Sequence, residues 1–126
     1  MDTILAVVDD LFFLGKIQQT AKLLGIRVDA VDPQKLHEQI AKTPPRAVIL
    51  DLNHRSGRAV EALRALKSDP ATDAIPVLGF LSHVQTDLAT EARAAGCDVV
   101  LARSAFSQHL PQLLKKQTES RGYPAD

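Results

Sequence analysis

The sequence contains a single cysteine, Cys97, in 126 residues, so no disulfide can form within the chain. Cys97 lies beside an apolar run, and neither a histidine nor a basic residue is adjacent to it. A thiol in this setting behaves as a small buried side chain, because a reactive thiolate needs positive charge nearby. The chain is long enough to fold around a hydrophobic core without disulfides or metals, as expected in a reducing compartment.

The sequence also lacks net charge and long hydrophobic runs. Lysine plus arginine and aspartate plus glutamate each number 15, which excludes a global attraction to nucleic acid or to an anionic membrane. No run reaches the roughly eighteen apolar residues that a membrane-spanning helix needs, and the amino terminus lacks the basic and apolar regions of a signal peptide. We therefore expect a soluble, cytoplasmic protein with no direct nucleic-acid or membrane partner.

Short apolar runs alternate with longer segments of helical period. Five short runs bounded by turn residues predict buried parallel strands. They are residues 4–8, 26–31, 47–50, 77–81 and 99–102, of which 26–31 is weaker and part polar. The segments between and after them repeat apolar residues at spacings of three and four, which predicts five helices. The last of these helices carries Phe106, Leu110 and Leu113.

This alternation predicts a doubly wound α/β fold, with a parallel five-stranded sheet and helices on both faces. Residues 1–118 contain no linker or repeat and are predicted to form a single domain. Residues 119–126 include Gly122 and Pro124 and little apolar content, so we expect a frayed tail.

Three aspartates follow two of the predicted strands. Asp9 and Asp10 come directly after the first strand, and Asp51 comes directly after the third. If these strands are parallel neighbours, the carboxylates meet at their carboxyl ends, where open α/β sheets place their sites. Such a pocket suits a hard cation and a phosphoryl group. The alternative is that each aspartate only ends a strand or caps a helix, since aspartate is common in such loops.

The chain resembles the receiver domain of bacterial two-component response regulators. The resemblance extends from about Ile4 to Leu114 and rests on four strings in order, VVDD at 7–10, VILDLN at 48–53, IPVL at 75–78 and AGCD at 95–98. It implies a flavodoxin-like sheet with the strand order 2-1-3-4-5.

The resemblance also implies roles for four residues. Asp51 would be the phosphoacceptor, and Asp9 and Asp10 would join it in holding Mg²⁺, with the backbone carbonyl of Asn53 as a further ligand. These roles agree with the chemistry, because a divalent cation relieves the repulsion between three carboxylates. A carboxylate can then act as a nucleophile toward phosphorus.

Three other positions depart from the family pattern. Counted from Pro76, Leu81 stands where a switching threonine or serine is expected, and Val100 stands where many receivers have an aromatic residue. Ser82 could approach the phosphate in place of Leu81 only if the loop bends, because one step along a strand reverses the side-chain direction. Arg103 replaces a lysine and is expected near the phosphate, or alternatively as a surface ion-pair partner.

We expect a stand-alone receiver domain of a phosphorelay, not an enzyme, whose output is protein interaction. Its expected partners are a histidine kinase or phosphotransfer protein and a downstream effector, with a possible homodimer through the face formed by the fourth helix, fifth strand and fifth helix.

Two alternatives remain open. The first is a pseudo-receiver, which acts by binding and without phosphorylation. The second is a small flavodoxin-like or phosphatase-type hydrolase with an aspartate nucleophile. The segment after the first strand disfavours the hydrolase, because the apolar residues 11–14 cannot cradle a phosphate.

Overall fold

The structure, a computed structural model, describes residues 2–82 and 85–119. Five parallel strands form one sheet in the order β2-β1-β3-β4-β5. They are β1 (Asp2–Val7), β2 (Ile26–Ala30), β3 (Ala47–Asp51), β4 (Val77–Leu81) and β5 (Val99–Ala102). Both the predicted parallel sheet and the strand order implied by the resemblance are therefore confirmed.

Helices cover both faces of this sheet. They are α1 (Leu11–Leu23), α2 (Leu36–Lys42), α3 (Ala59–Lys67), α4 (Thr86–Ala94), α5 (Arg103–Gln108) and α6 (Leu110–Glu119). A 3₁₀ turn over Pro33–Lys35 leads into α2. In the described part of the chain, none of the helices has the length and apolarity required to cross a membrane.

The predicted fifth helix is two helices, so the described residues contain six α-helices and not five. The break lies at His109, whose N–H donates to the carbonyl of Ala105. Pro111 explains the break, because it has no N–H for the next helical hydrogen bond and is tolerated only in a first turn. Val84, the first apolar residue of the segment predicted to form the fourth helix, and residues 120–126 of the predicted tail lie outside the described residues. Glu119, which was predicted to begin the tail, instead ends α6.

Alternating strand residues form two separate cores. Ile4 and Ala6 of β1 face the layer of α1 and α6, whereas Leu5 and Val7 face the layer of α2, α3 and α4. The first core contains three packed rings, in which the Phe80 centroid lies 4.8 Å from that of Phe13 and 5.0 Å from that of Phe106. Burial on both faces explains why the interior strands β3 and β4 are nearly continuous apolar runs. The edge strand β2 alternates instead, with Arg27 exposed.

Cys97 lies in the second core, as its sequence context predicts. Desolvation raises the pKa of its thiol to about 11, so the thiolate is a minor species at neutral pH. Gly79 of β4 is required beside it, because a Cβ added there would stand 2.8 Å from the Cys97 Sγ.

Lys67 joins three segments at the amino-terminal end of β4. Its Nζ donates to the carbonyls of Asp73 and Ile75, at 3.0 and 2.8 Å, and to the carboxylate of Asp98 at 3.0 Å. The same carboxylate accepts the N–H of Val77 at 2.7 Å. The end of α3, the loop before β4 and the loop before β5 are therefore held by one cation, whose side chain is only 13% exposed.

We predict that Lys67→Met lowers the free energy of unfolding by about 2 kcal/mol, because it leaves a carboxylate and two carbonyls without their charged donor. Urea denaturation followed by circular dichroism measures this loss. Arg64→Met on the same helix is the matched control. Its ion pair with Glu91 is exposed, so its loss should cost less than about 0.5 kcal/mol. Equal losses in the two variants would contradict the prediction.

Candidate functional site

The three aspartates of the sequence pattern meet at the carboxyl end of the sheet. Asp51 is the last residue of β3, and Asp9 and Asp10 form the turn between β1 and α1. The two strands are parallel neighbours, with Val7 opposite Leu50. The side chains gather at this edge because parallel strands end at the same side of the sheet.

Asp51 is almost fully buried, with 3% of its surface exposed. Its Oδ1 accepts the N–H of Asn53 at 2.8 Å, and its Oδ2 lies 4.0 Å from Nη2 of Arg103. Burial raises the pKa of the Asp51 carboxyl, and the favourable hydrogen bond and guanidinium offset this effect only in part. The carboxylate is therefore poorly solvated and destabilised in its charged form.

Asp10 has a different environment and two partners. Its Oδ1 caps α1 by accepting the N–H groups of Phe12 and Phe13, at 3.0 and 3.1 Å. Its Oδ2 accepts Nη1 of Arg103 at 2.9 Å. The hydrogen bond from the Phe13 backbone, followed by the bond from Arg103, lowers the pKa of Asp10. The cap and the ion pair thus keep this carboxylate charged and engage both of its oxygens.

Asp9 pairs with Arg55, a residue that the sequence pattern did not single out. The Arg55 side chain reaches from the loop after β3, and its Nε lies 3.0 Å from Oδ2 of Asp9. The backbone N–H of Arg55 donates to the same oxygen at 3.3 Å. The available signal was a basic residue four positions after Asp51, in a loop that ends beside the first aspartates.

Arg103 lies beside the predicted phosphoacceptor and is held by aromatic rings. Its guanidinium carbon is 4.5 Å from the ring centroid of Phe13 and 5.4 Å from that of Phe80. The side chain is 32% exposed. The alternative prediction, a surface ion pair, agrees with the pairing of Arg103 and Asp10. It does not account for the guanidinium, which stacks on two rings of the core.

Asn53 connects the loop after β3 to the segment after β4. Its Oδ1 accepts the N–H of Ser82 at 2.6 Å, and its Nδ2 donates to Oε1 of Gln85 at 2.9 Å. Gln85 was not predicted as a site residue. The metal-ligand role of the Asn53 carbonyl and the phosphate-proximal role of Ser82 stay predictions, and the two residues after Ser82 lie outside the described part of the chain.

The two altered switch positions belong to the second core. Leu81 ends β4 with 3% of its surface exposed, so an apolar side chain is packed where a hydroxyl was expected. Val100 of β5 is partly buried against the same core. Both residues line a cleft of about 200 Å³ between α4 and β5, whose rim includes Arg93.

The carboxylates are not arranged as a ready metal site. Within residues 2–82 and 85–119, no three carboxylate, imidazole or thiolate groups are positioned to hold a metal ion. Asp9 and Asp10 instead turn oxygens toward Arg55 and Arg103. In this arrangement the donor set does not fit the Mg²⁺ that the resemblance implies.

No protein-family model matches the chain, and no curated protein sequence matches it. Solved structures do. The phosphorylated cyanobacterial phytochrome response regulator RcpA superimposes with a TM-score of 0.85 at 19% identity, over 98% of this chain and 99% of that chain. The chain has the response-regulator receiver fold.

Two further structures with the receiver fold agree in length as well as in shape. The Mn²⁺-bound response regulator Rcp1 has a TM-score of 0.81 at 18% identity, over 99% of this chain and all of that chain. The chemotaxis protein CheY4 of Vibrio cholerae has a TM-score of 0.79 at 20% identity, over 92% of this chain and 98% of that chain. At these identities the likeness establishes the receiver fold, and the function has to be argued from the site.

We predict that Asp51→Asn makes the protein more stable at neutral pH. The raised pKa means that the folded state keeps a proton on Asp51 in a pH range where the unfolded state has lost it. The stability of the wild type therefore falls as pH rises from the unfolded pKa of about 3.9 through the higher folded pKa, and asparagine removes this loss.

Thermal unfolding in EDTA, followed by circular dichroism, measures the difference. The melting temperature of Asp51→Asn should exceed that of the wild type by a few degrees at pH 7, and the gap should close near pH 3.5. A gap that stays constant or widens toward low pH would contradict this prediction.

Proposed function

We propose that the chain is a receiver domain of a phosphorelay and that Asp51 is its phosphoacceptor. The observation that carries the proposal is a nearly buried carboxylate at the end of the central strand β3, with an arginine guanidinium 4.0 Å from its Oδ2. Burial and a nearby cation together suit a nucleophile that receives a doubly negative group. The shared fold with response regulators supports the same role.

The proposed chemistry is a transfer of a phosphoryl group to Asp51. Its Oδ2 attacks phosphorus, the bond from phosphorus to the donor's leaving group breaks, and an aspartyl phosphate forms. Arg103 is close enough to pair with a phosphoryl oxygen after small movements, and a guanidinium can bind phosphate through two N–H groups. The backbone N–H of Asn53, which bonds to Oδ1, keeps the carboxylate oriented.

The output would pass to other proteins. We propose a histidine kinase or phosphotransfer protein as the phosphoryl donor and a separate effector as the receiver of the signal. The proposed contact surface, for an effector or for a second copy of the chain, is the face of α4, β5 and the predicted fifth helix, which comprises α5 and α6. It carries the cleft that Leu81, Val100 and Arg93 line. We propose that residues 1–118 form this receiver domain, as the sequence predicts.

A second candidate function is favoured by Leu81. This buried side chain offers no hydroxyl to a phosphoryl oxygen, and Val100 offers no aromatic ring that could change its rotamer. A pseudo-receiver would therefore present the same binding surface whether or not Asp51 is modified, because a population shift needs a ligand that contacts two states differently.

Treatment with acetyl phosphate in the presence of Mg²⁺, followed by intact mass spectrometry, tests the phosphoacceptor. We expect the wild type and Asp29→Asn, an exposed aspartate on β2, to gain the mass of one phosphoryl group, and Asp51→Asn to gain none. Absence of the adduct from the wild type would reject Asp51 as phosphoacceptor and favour the pseudo-receiver.

Amide chemical shifts recorded before and after treatment separate an active switch from a silent adduct. Because Leu81 and Val100 lack the switching groups, we expect shifts limited to the loops around Asp51 and Asn53. Large shifts in β5 and α4 would instead indicate coupling through another route.

The hydrolase alternative predicts turnover, which a receiver does not need. We expect no hydrolysis of p-nitrophenyl phosphate above the uncatalysed rate. Sustained turnover that Asp9→Asn abolishes would favour the enzyme and contradict the receiver proposal.

A further inference from the structure

Each carboxylate of the pocket faces an arginine. Arg55 pairs with Asp9 at 3.0 Å, and Arg103 pairs with Asp10 at 2.9 Å and lies 4.0 Å from Asp51. With every group ionised, three negative charges and two positive charges leave a formal charge of −1. The two arginines thus supply most of the neutralisation that a divalent cation would otherwise provide.

We infer that Arg103, assisted by Arg55, is a built-in counter-ion that competes with divalent cations for the acidic pocket. The guanidinium groups engage the oxygens of Asp9 and Asp10 that a metal would need. A cation can then bind only after these ion pairs have opened. The affinity of the pocket for metal is therefore set by the release of arginine as well as by the carboxylates.

Arg103 is the stronger of the two competitors because it is held from both sides. On one side it bonds to Asp10, which is itself fixed as the cap of α1. On the other side its guanidinium stacks on Phe13 and Phe80 at 4.5 and 5.4 Å. A planar guanidinium can make both contacts at once, which the compact ammonium of a lysine cannot do as well.

Arg55 contributes less, because its side chain is 86% exposed and its ion pair with Asp9 is screened by water. Removing the charge of Arg103 should therefore raise the metal affinity of the pocket more than removing the charge of Arg55. A general change in net charge would alter the metal affinity equally for any arginine. A larger effect of Arg103 than of Arg55 would therefore indicate competition at the contacts described above.

Titration with Mn²⁺ tests the inference by isothermal calorimetry and by the paramagnetic broadening of amide signals around Asp10 and Asp51. We expect Arg103→Gln to bind Mn²⁺ roughly tenfold more tightly than the wild type, and Arg55→Gln to show a smaller gain. Arg27→Gln is the matched control, since Arg27 pairs with the exposed Asp29 on β2 and its loss should leave the affinity unchanged.

Three outcomes would overturn the inference. They are equal affinities of the wild type and Arg103→Gln, equal gains in Arg103→Gln and Arg27→Gln, and no binding at the pocket in any variant. If Arg103→Gln does not fold, Arg103→Lys serves instead. It keeps the charge but loses the stacking, so we expect it to bind Mn²⁺ more tightly than the wild type, and an unchanged affinity would count against the inference.

The inference concerns the same pocket but does not rest on the phosphoacceptor role. The Mn²⁺ titration contains no phosphodonor, so a failure to phosphorylate Asp51 would not change the expected Mn²⁺ affinities. Conversely, unchanged Mn²⁺ affinities would leave the acetyl phosphate result standing.

Discussion

The ion pair between Arg103 and Asp10 is the interaction on which the arrangement of the pocket depends. It joins residues 93 positions apart, the first residue of α5 and the cap of α1. Because the guanidinium also stacks on Phe13 and Phe80, the pair couples the acidic edge of the sheet to its aromatic core. The position of the Arg103 side chain therefore sets how close its positive charge lies to Asp51.

Burial of Asp51 is the second constraint, and it follows from the sheet. β3 is the central strand, with β1 and β4 on either side, so the residue at its end is screened from water by neighbouring loops. Desolvation penalises the carboxylate, while the Asn53 N–H and the Arg103 guanidinium favour it. A buried and only partly compensated carboxylate is typical of functional sites, and this supports the proposal that Asp51 is the phosphoacceptor.

The loop after β3 is hydrogen-bonded to the segment after β4. The Asn53 side chain accepts the N–H of Ser82 and donates to Gln85, which directly precedes α4. Leu81 is packed in the second core, so its side chain makes no such polar link. The two loops at this edge of the sheet are therefore held together through the amide of Asn53.

The continuous apolar runs alone predicted the parallel sheet and its two buried faces, because such runs have few ways to be buried. The adjacency of β1 and β3, which brings the three aspartates to one edge of the sheet, was implied only by the family resemblance. Pro111 also explains the helix break at His109. Helical periodicity depends only on the spacing of apolar side chains, so it does not detect a missing backbone N–H. The pairing of Asp9 with Arg55 and of Asp10 with Arg103 emerges only in the folded chain. Arg55 comes from the loop after β3 and Arg103 from the start of α5, 46 and 93 positions from their aspartates. The direction of a long, charged side chain depends on which carboxylates and rings surround it after folding.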